Sequence, residues 1–192
     1  AWIINGSKCW ITSATKAFAT VATARTSEDP KDRTITSFIL EKAMKGYAVG
    51  KKENKLGLRG SDTAFLHFDD LKITKDNQLG EEGQGFKQML ITLDGGRISI
   101  GAMALGLGQG ALDCALKYAA TRVQFGKPIA DNQGIQHKLA DMATELEAAR
   151  LLIYETAMLK DAGKPFSKFS AMCKLYASEV GTRCATTAMT IL

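Results

Sequence analysis

Two adjacent glycines between opposite charges are the strongest local sign of chemistry in this 192-residue chain. Gly95 and Gly96 lie inside a long helical pattern, between Asp94 and Arg97. Each glycine costs a helix about 1 kcal/mol relative to alanine, and a helix that accepts this cost twice often has a group pressed against its backbone. The segment therefore predicts a ligand groove. The alternative interpretation is a surface ion pair on a helix bent by glycine.

Elsewhere, the spacing of polar residues indicates neither a nucleophile–base pair nor a metal cluster. The two histidines, His67 and His137, are far apart in the sequence, and we expect His67 to be a structural residue of a strand. The run from Gly106 to Gly110 looks like a nucleotide loop, but it follows no strand and opens no βαβ unit. We interpret it as bare helix surface, because Gly106 and Gly110 share one face and permit a close helix crossing.

Composition and charge narrow the classes of protein. The net charge is +5, but the basic residues are scattered among acids, which disfavours nucleic-acid binding. Four cysteines without C-x-x-C spacing favour buried thiols in a reducing compartment over disulfides or zinc. We expect no segment to approach a membrane span in length and hydrophobicity. The chain begins inside a predicted strand and ends inside a predicted helix, so we expect a fragment of a longer protein.

The first part of the chain, residues 1–80, has the pattern of an antiparallel β domain. Asn5-Gly6 predicts a two-residue hairpin turn between a strand that starts at Trp2 and one that ends at Ile11. A polar loop at 27–32 separates the next two strands. Short strands with turn signals between them indicate a barrel or sandwich. The further predicted strands are 17–25, 34–40, 47–52 and 63–73.

The second part, residues 81–192, has helical periodicity and predicts an antiparallel helical bundle, so the fold class is α+β. Predicted helices cover 86–122 and 133–160, and Ser167 is expected to cap a third. An apolar seam on the second helix predicts packing against another helix; it comprises Ile135, Leu139, Met142, Leu146, Ala149 and Ile153. The inner side of the third helix is predicted to carry Met172, Leu175, Val180, Cys184 and Ile191.

Five motifs, in matching order and separation, resemble those of the acyl-CoA dehydrogenase family. They are Gly6-x-Lys8-x-Trp10-Ile11-Thr12, Lys55-Leu56-Gly57-x-Arg59-Gly60-Ser61-x-Thr63, Asp94-x-x-Arg97, Arg122-x-x-Phe125-Gly126-x-Pro128 and Gln133. The resemblance covers the whole chain and is nearest to the short-chain (butyryl-CoA) members. It implies an incomplete family fold, with the middle β domain and most of the C-terminal helical bundle, between which FAD binds.

The resemblance also implies three groups of site residues. Trp10, Ile11 and Thr12 would contact the flavin; Asp94, Gly95, Gly96 and Arg97 would border the acyl-CoA substrate; Arg122, Phe125 and Gln133 would hold the diphosphate and adenine of a neighbouring subunit's FAD. Trp10 would pack beside the isoalloxazine ring, and Thr12 would hydrogen-bond its N5/O4 edge. The alternatives are a core tryptophan at Trp10 and a helix-terminal charge at Arg122.

The implied activity is the flavin-dependent α,β-dehydrogenation of short-chain acyl-CoA thioesters to trans-2-enoyl-CoA, in fatty-acid or amino-acid breakdown. The family's general base is a glutamate that most members carry near the C-terminus, beyond Leu192. Some members carry it on the helix where this chain has Gly96, so no catalytic residue is expected in this chain. An acyl-CoA oxidase and a non-catalytic acyl-CoA- or flavin-binding relative are the alternatives.

The resemblance further implies partners and a location. An electron-transferring flavoprotein would reoxidise the flavin, and the full-length protein would be a homotetramer built as a dimer of dimers. The mitochondrial matrix is the expected compartment, with the bacterial cytoplasm as the alternative. We expect neither nucleic-acid binding nor membrane insertion.

Overall fold

The computed structural model describes residues 1–27, 29, 31–32 and 34–192. The predicted loop at 27–32 includes Glu28 and Pro30, which lie outside the described residues. The chain divides into two compact units, Ala1–Leu90 and Ile91–Leu192. The predicted domain boundary between residues 80 and 81 stays a prediction.

The first unit contains two three-stranded antiparallel sheets, which confirms the predicted antiparallel β architecture. In spatial order, the first sheet consists of β1 (Trp2–Thr12), β5 (Thr63–Ile73) and β4 (Tyr47–Lys52), and the second of β2 (Ala19–Arg25), β3 (Ile35–Glu41) and β6 (Gln78–Leu79). A single turn of 3₁₀ helix, Lys75–Asn77, precedes β6. Alternate side chains of β3 and β5, including Phe38, Leu40 and Leu66, are buried in one apolar core.

The predicted hairpin at Asn5-Gly6 is wrong, because β1 is one continuous strand paired with β5. Two steps along β1, from Ile4 to Gly6, pair with three steps along β5, so the extra residue is a bulge in β5. The Asn5 side chain closes this bulge: its Nδ2 donates to Asp70 Oδ1 at 3.0 Å, and its Oδ1 accepts from the Asp70 N–H at 2.7 Å. A tertiary contact 65 residues away therefore replaces the local turn.

The second unit is built on three helices: α1 (Gly85–Thr121), which begins in the first unit, α2 (Gln133–Asp161) and α3 (Ser167–Ile191). A short hairpin, β7 (Val123–Gln124) with β8 (Lys127–Pro128), and a 3₁₀ turn, Ile129–Asp131, join α1 to α2. Contacts run in opposite directions along α1 and α2 and along α2 and α3, as the predicted antiparallel bundle requires.

The bundle core confirms the seam on α2 and corrects the predicted face of α3. Met142, Leu146, Ala149 and Ile153 are buried, and Ile135 and Leu139 pack against them. On α3, Val180, Cys184 and Ile191 are buried as predicted. Met172 and Leu175 are exposed instead, and Cys173 and Ala177 take the inner positions. The buried positions, which include Ser170 and Ala188, follow one continuous spacing of three and four residues along α3, so the predicted register was wrong at the beginning of the helix.

The close helix crossings do not use the predicted glycines. A Cβ atom added at Gly106 or Gly110 would meet nothing within 4 Å. At Gly108, it would lie 2.8 Å from Leu146 Cδ2, and at Gly181, it would lie 2.8 Å from the Ala104 carbonyl oxygen. The tight face of α1 therefore includes Gly108, while Gly106 and Gly110 lie on an open face.

The expectation of buried thiols holds for two cysteines and is wrong for the other two. Cys173 and Cys184 are buried in the bundle, where desolvation raises the pKa of both thiols. Cys9 and Cys114 are exposed. Whether a cysteine is buried depends on the face of the strand or helix on which it lies. The spacing of the four cysteines along the sequence does not determine that face.

By length and composition, α1 is long and apolar enough to cross a membrane. This contradicts the prediction that no segment approaches a membrane span. One such helix is weak evidence, since the core helix of a bundle passes the same test. Leu105, Leu112 and Ala115 of α1 belong to the bundle core. Much of the rest of its apolar surface, including Ile100, Met103 and Leu107, is exposed in this chain.

Candidate functional site

In the first unit, Trp10 is presented by a bulge in β1. Lys8 pairs with Leu66 and Ile11 with Ala64, so three steps on β1 oppose two on β5. Trp10 takes up the extra residue with a φ of 54°, in the left-handed region that a bulky residue rarely adopts. Its side chain is 72% exposed, which excludes the alternative of a core tryptophan. An exposed indole on a strained backbone is typical of a binding site.

The segment after Trp10 is fixed by a hydrogen-bonded corner. Ile11 is half-buried against the sheet core and Thr12, the last residue of β1, is exposed. Beyond Ser13, whose φ is 61°, the N–H and Oγ–H of Thr15 donate to Asp62 Oδ2 at 2.9 and 2.8 Å. Both bonds lower the pKa of the Asp62 carboxyl, and the bond from the backbone N–H has the larger effect. The Asp62 carboxylate therefore stays charged, and its bonds to Thr15 fix the backbone that follows Thr12.

The motif that begins at Lys55 shapes the loop next to this corner. Lys55 Nζ donates to the Ser61 carbonyl oxygen at 2.6 Å and to Thr63 Oγ1 at 3.0 Å, and Arg59 Nε donates to the Lys55 carbonyl oxygen at 3.1 Å. The loop leads into β5, where Thr63 pairs with Thr12. The charged residues of this motif thus support the end of β1.

In the second unit, the two glycines of α1 differ in their surroundings. A Cβ atom added at Gly95 would lie 3.4 Å from Lys160 Nζ of α2, whereas at Gly96 it would meet nothing within 4 Å. Arg97 Nη1 donates to Asp94 Oδ1 at 2.5 Å, so the charges form the ion pair that their spacing predicts. The bare helix surface therefore lies at Gly96, with an ammonium group at its margin.

The third group of predicted residues lies at the other end of α1. Arg122 is exposed directly after the helix, and its backbone carbonyl accepts from the Ile129 N–H at 2.9 Å. Phe125 and Gly126 form the turn of the β7–β8 hairpin with φ values of 51° and 77°, and the Phe125 side chain is 98% exposed. Gln133, the first residue of α2, is also exposed.

The two predicted groups of residues on the bundle are separated along α1. Asp94 and Arg122 lie 28 positions apart, mostly along α1, which corresponds to roughly 40 Å at 1.5 Å per residue. The two predicted groups of the bundle are therefore distinct surfaces, one in the first third of α1 and one directly after its last residue.

Three residues that support the predicted site residues were not identified as such from the sequence pattern. Thr15 and Asp62 support the end of β1, and Ser167 donates its hydroxyl to Asp94. The partners are 47 and 73 residues apart, so no local periodicity relates them. The available signal is that Asp62 occupies one of the two unspecified positions inside the motif that begins at Lys55.

Both units match models of one family. Residues 1–71 match the family model described as acyl-CoA dehydrogenase, middle domain, and residues 83–192 match acyl-CoA dehydrogenase, C-terminal domain. The chain belongs to the acyl-CoA dehydrogenase family.

Individual relatives agree with this assignment. The mitochondrial short-chain specific acyl-CoA dehydrogenase of Rattus norvegicus is 51% identical over 192 residues, which are 100% of this chain and 47% of that protein. The acryloyl-CoA reductase (NADH) of Anaerotignum propionicum is 48% identical over 178 residues, 93% of this chain and 45% of that protein. The solved structure of butyryl-CoA dehydrogenase from Megasphaera elsdenii matches with a TM-score of 0.94 and 46% identity, covering 98% of this chain and 49% of that one. The chain thus spans about half the length of these relatives.

Proposed function

We propose that a full-length protein carrying this sequence is an FAD-dependent dehydrogenase of short-chain acyl-CoA thioesters that forms trans-2-enoyl-CoA. The observation that carries the proposal is the 51% identity to a short-chain specific dehydrogenase over the whole chain. The exposed Trp10 and the bare surface at Gly96 support it, because each leaves room for a ligand at the position that the family resemblance assigns to one.

The residues at the end of β1 fit a flat flavin ring. FAD, when bound, would supply the acceptor for the hydride that leaves the substrate β-carbon. The exposed indole of Trp10 offers an apolar face that excludes water from one side of such a ring. The Thr12 hydroxyl is an exposed donor that would stabilise negative charge at the ring's N5/O4 edge. The Thr15–Asp62 corner keeps this donor in place.

The residues of α1 fit the acyl-CoA ester. Gly96 lets an acyl or pantetheine chain lie directly on the helix backbone, while Arg97 and Lys160 supply positive charge beside it. Asp94 is a poor candidate for the general base, since its two carboxylate oxygens accept hydrogen bonds from Arg97 and Ser167. We therefore place the base, a glutamate, in the part of a full-length protein that follows Leu192.

The remaining roles rest on the family resemblance and on the exposure of the hairpin. Arg122, Phe125 and Gln133 would hold the diphosphate and adenine of a neighbouring subunit's FAD, for which the guanidinium fork suits a diphosphate. Two subunits would complete each other's sites, and two such dimers would form a tetramer. An electron-transferring flavoprotein would accept the electrons, in the mitochondrial matrix or in a bacterial cytoplasm.

A second candidate is the reductive direction, which the 48% identity to an acryloyl-CoA reductase (NADH) supports. The same residues would bind the enoyl thioester, and the electrons would flow from NADH toward the substrate. The residues of this chain fit both directions equally, because both would use the same flavin ring and a CoA thioester bound at the same surface.

Steady-state kinetics of the purified full-length protein with an artificial electron acceptor tests the proposal. We expect the highest kcat/KM for butyryl-CoA among straight-chain and branched acyl-CoA substrates. A preference for octanoyl-CoA or a branched ester would reject the short-chain assignment. Oxygen consumption without an added acceptor would indicate an oxidase, and NADH-dependent reduction of acryloyl-CoA would favour the second candidate. A protein that binds flavin and acyl-CoA without turnover would be a non-catalytic relative.

A further inference from the structure

The hydroxyl of Ser167, at the beginning of α3, forms a hydrogen bond with a residue of another helix, α1. The residue is predicted to cap α3, but the N-cap position is held by Phe166 and no side chain caps this end. Ser167 Oγ donates instead to Asp94 Oδ2 of α1 at 2.5 Å. The prediction of a cap is therefore wrong, and the hydroxyl links the beginning of α3 to the charged pair beside Gly96.

Asp94 is held on both sides. Its Oδ1 accepts from Arg97 and its Oδ2 from Ser167, and only 20% of its side chain is exposed. Arg97 is 39% exposed, and its bond to Asp94 uses one of its five N–H donors. The carboxylate thus connects an exposed serine at the beginning of α3 to a guanidinium group at the surface of α1.

Ser167 is itself held in place by the first turn of α3. Ser170, which is fully buried, donates its hydroxyl to the Ser167 carbonyl oxygen at 3.0 Å. The Ser170 N–H donates to the Phe166 carbonyl oxygen at 2.8 Å. The position of the Ser167 hydroxyl therefore follows from the packing of α3 in the core.

The bond from Ser167 changes what the ion pair can do. An isolated pair of opposite charges three residues apart on a helix contributes only about 0.2–0.5 kcal/mol, so it holds its two side chains weakly. A second bond from another helix restricts the rotation of the Asp94 side chain. The guanidinium of Arg97 is then restrained beside the open surface at Gly96, and part of the entropy cost of ordering it for a ligand is removed in advance.

We propose that Ser167 is a positioning residue that acts through Asp94 to orient Arg97 for acyl-CoA binding. This inference rests on the proposed function. It adds a residue outside the family motifs, on the third helix of the bundle, to the determinants of thioester affinity. A threonine at this position would retain the hydroxyl and the role, whereas an alanine would lose both.

The test compares Ser167→Ala and Ser167→Thr in the full-length flavin-bound protein. We expect Ser167→Ala to raise the KM and the Kd of butyryl-CoA about 5- to 20-fold, with kcat, flavin content and Tm close to those of the unchanged protein. Ser167→Thr should restore both values. Ser178→Ala is the matched control, since the hydroxyl of this half-buried serine of α3 donates within its own helix, to the Leu175 carbonyl oxygen.

A double-mutant cycle separates positioning from general support of the fold. In the background of Arg97→Ala, the further change Ser167→Ala should alter the KM less than twofold. Additive effects of the two changes, or a fall of Tm with the loss of affinity that threonine does not restore, would overturn the proposal. If the unchanged protein turns over and Ser167→Ala behaves like it, the positioning role alone fails. If the unchanged protein neither binds nor oxidises butyryl-CoA, the proposed function fails with it.

Discussion

Trp10 and Phe125 share an unusual combination of backbone strain and exposure. Both are aromatic residues with positive φ, at 54° and 51°, and both side chains are mostly in solvent. A non-glycine residue in this region costs on the order of 1 kcal/mol or more, and persists where the surrounding structure fixes it. One is fixed by a bulge in β1 and the other by a two-residue turn. Aromatic surface held in this way supports the assignment of both residues to flavin binding.

Gly96 is the position at which a single side chain can test the catalytic geometry. We predict that Gly96→Glu restores partial activity to a full-length variant whose native glutamate base has been replaced. The open space around Gly96 accepts a longer side chain, and a carboxylate there approaches the bound thioester from this helix. The measured quantity is kcat with butyryl-CoA, expected to recover at least about tenfold.

Gly96→Gln in the same background is the control, because it fills the same space without supplying a base. Equal kcat values for the glutamate and glutamine variants would contradict the placement of the substrate α-carbon near this helix.

Individual residues were predictable where the signal was local. Gly95, Gly96 and the Asp94–Arg97 pair are read from neighbouring positions, and the structure shows the ion pair. The contacts of Ser167 with Asp94 and of Thr15 with Asp62 join distant segments, so the pattern around each residue carries no trace of its partner. The family motifs include the residues that we expect to face a ligand, but not all of those that hold them in place.

The packing of α1, α2 and α3 depends on which glycines lie at a helix crossing. We predict that Gly181→Ala destabilises the protein by about 1–3 kcal/mol, because a Cβ atom there would lie 2.8 Å from the Ala104 backbone carbonyl oxygen and a helix would have to move. Gly110→Ala has open space and should stabilise its helix by up to about 1 kcal/mol. Chemical denaturation of both variants measures the free energies of unfolding. Equal changes in the free energy of unfolding for the two variants would contradict a close helix crossing at Gly181.

The corner after β1 predicts a pH dependence. The pKa of Asp62 is lowered below the ordinary value of 3.8, first by the Thr15 backbone N–H and then by the Thr15 hydroxyl. A lowered folded-state pKa contributes stability that is present above 3.8 and is lost as the pH falls through the folded value. We expect Asp62→Asn to be less stable than the unchanged protein at neutral pH.

The difference should shrink as denaturation is repeated at pH values falling from 3.8, where the carboxylate itself becomes protonated. Asp69→Asn, which removes an exposed carboxylate of β5, controls for the loss of a charge. A difference that stays constant over this range would show that the Thr15 bonds do not depend on the charge of Asp62.

Helices and strands were predictable from periodicity, whereas their faces and connections were less so. The period of 3.6 located α1, α2 and α3 to within two residues at their described ends, and the alternation of β5 located that strand. Asn5-Gly6 has the composition of a hairpin turn, but the long pairing of β1 with β5 outweighs it. The face of α3 depends on how it crosses α1 at Gly101 and Gly108, which a single helix does not specify.

The chain covers about half the length of its relatives, and the two groups of ligand-binding residues proposed for the bundle lie far apart along α1. Their separation favours a complete site made from more than one subunit. We predict that Arg122→Ala in the full-length protein weakens FAD binding about tenfold and lowers the stability of the dimer with it, since a ligand shared by two subunits links the two equilibria. Substrate affinity at Asp94–Arg97 should change less.

Flavin content and sedimentation, measured side by side, test this prediction. Lys127→Ala is the control on the same hairpin, because Lys127 Nζ donates locally, to the Asp131 carbonyl oxygen. Full FAD occupancy in the Arg122 variant would mean that this arginine is a helix-terminal charge.

Anaerobic addition of butyryl-CoA to the full-length protein with bound FAD examines the proposed chemistry in one step. If the protein is a short-chain acyl-CoA dehydrogenase, the visible absorbance of the oxidised flavin disappears and one equivalent of trans-2-enoyl-CoA forms for each flavin reduced. A flavin that remains oxidised while butyryl-CoA is bound would contradict the account.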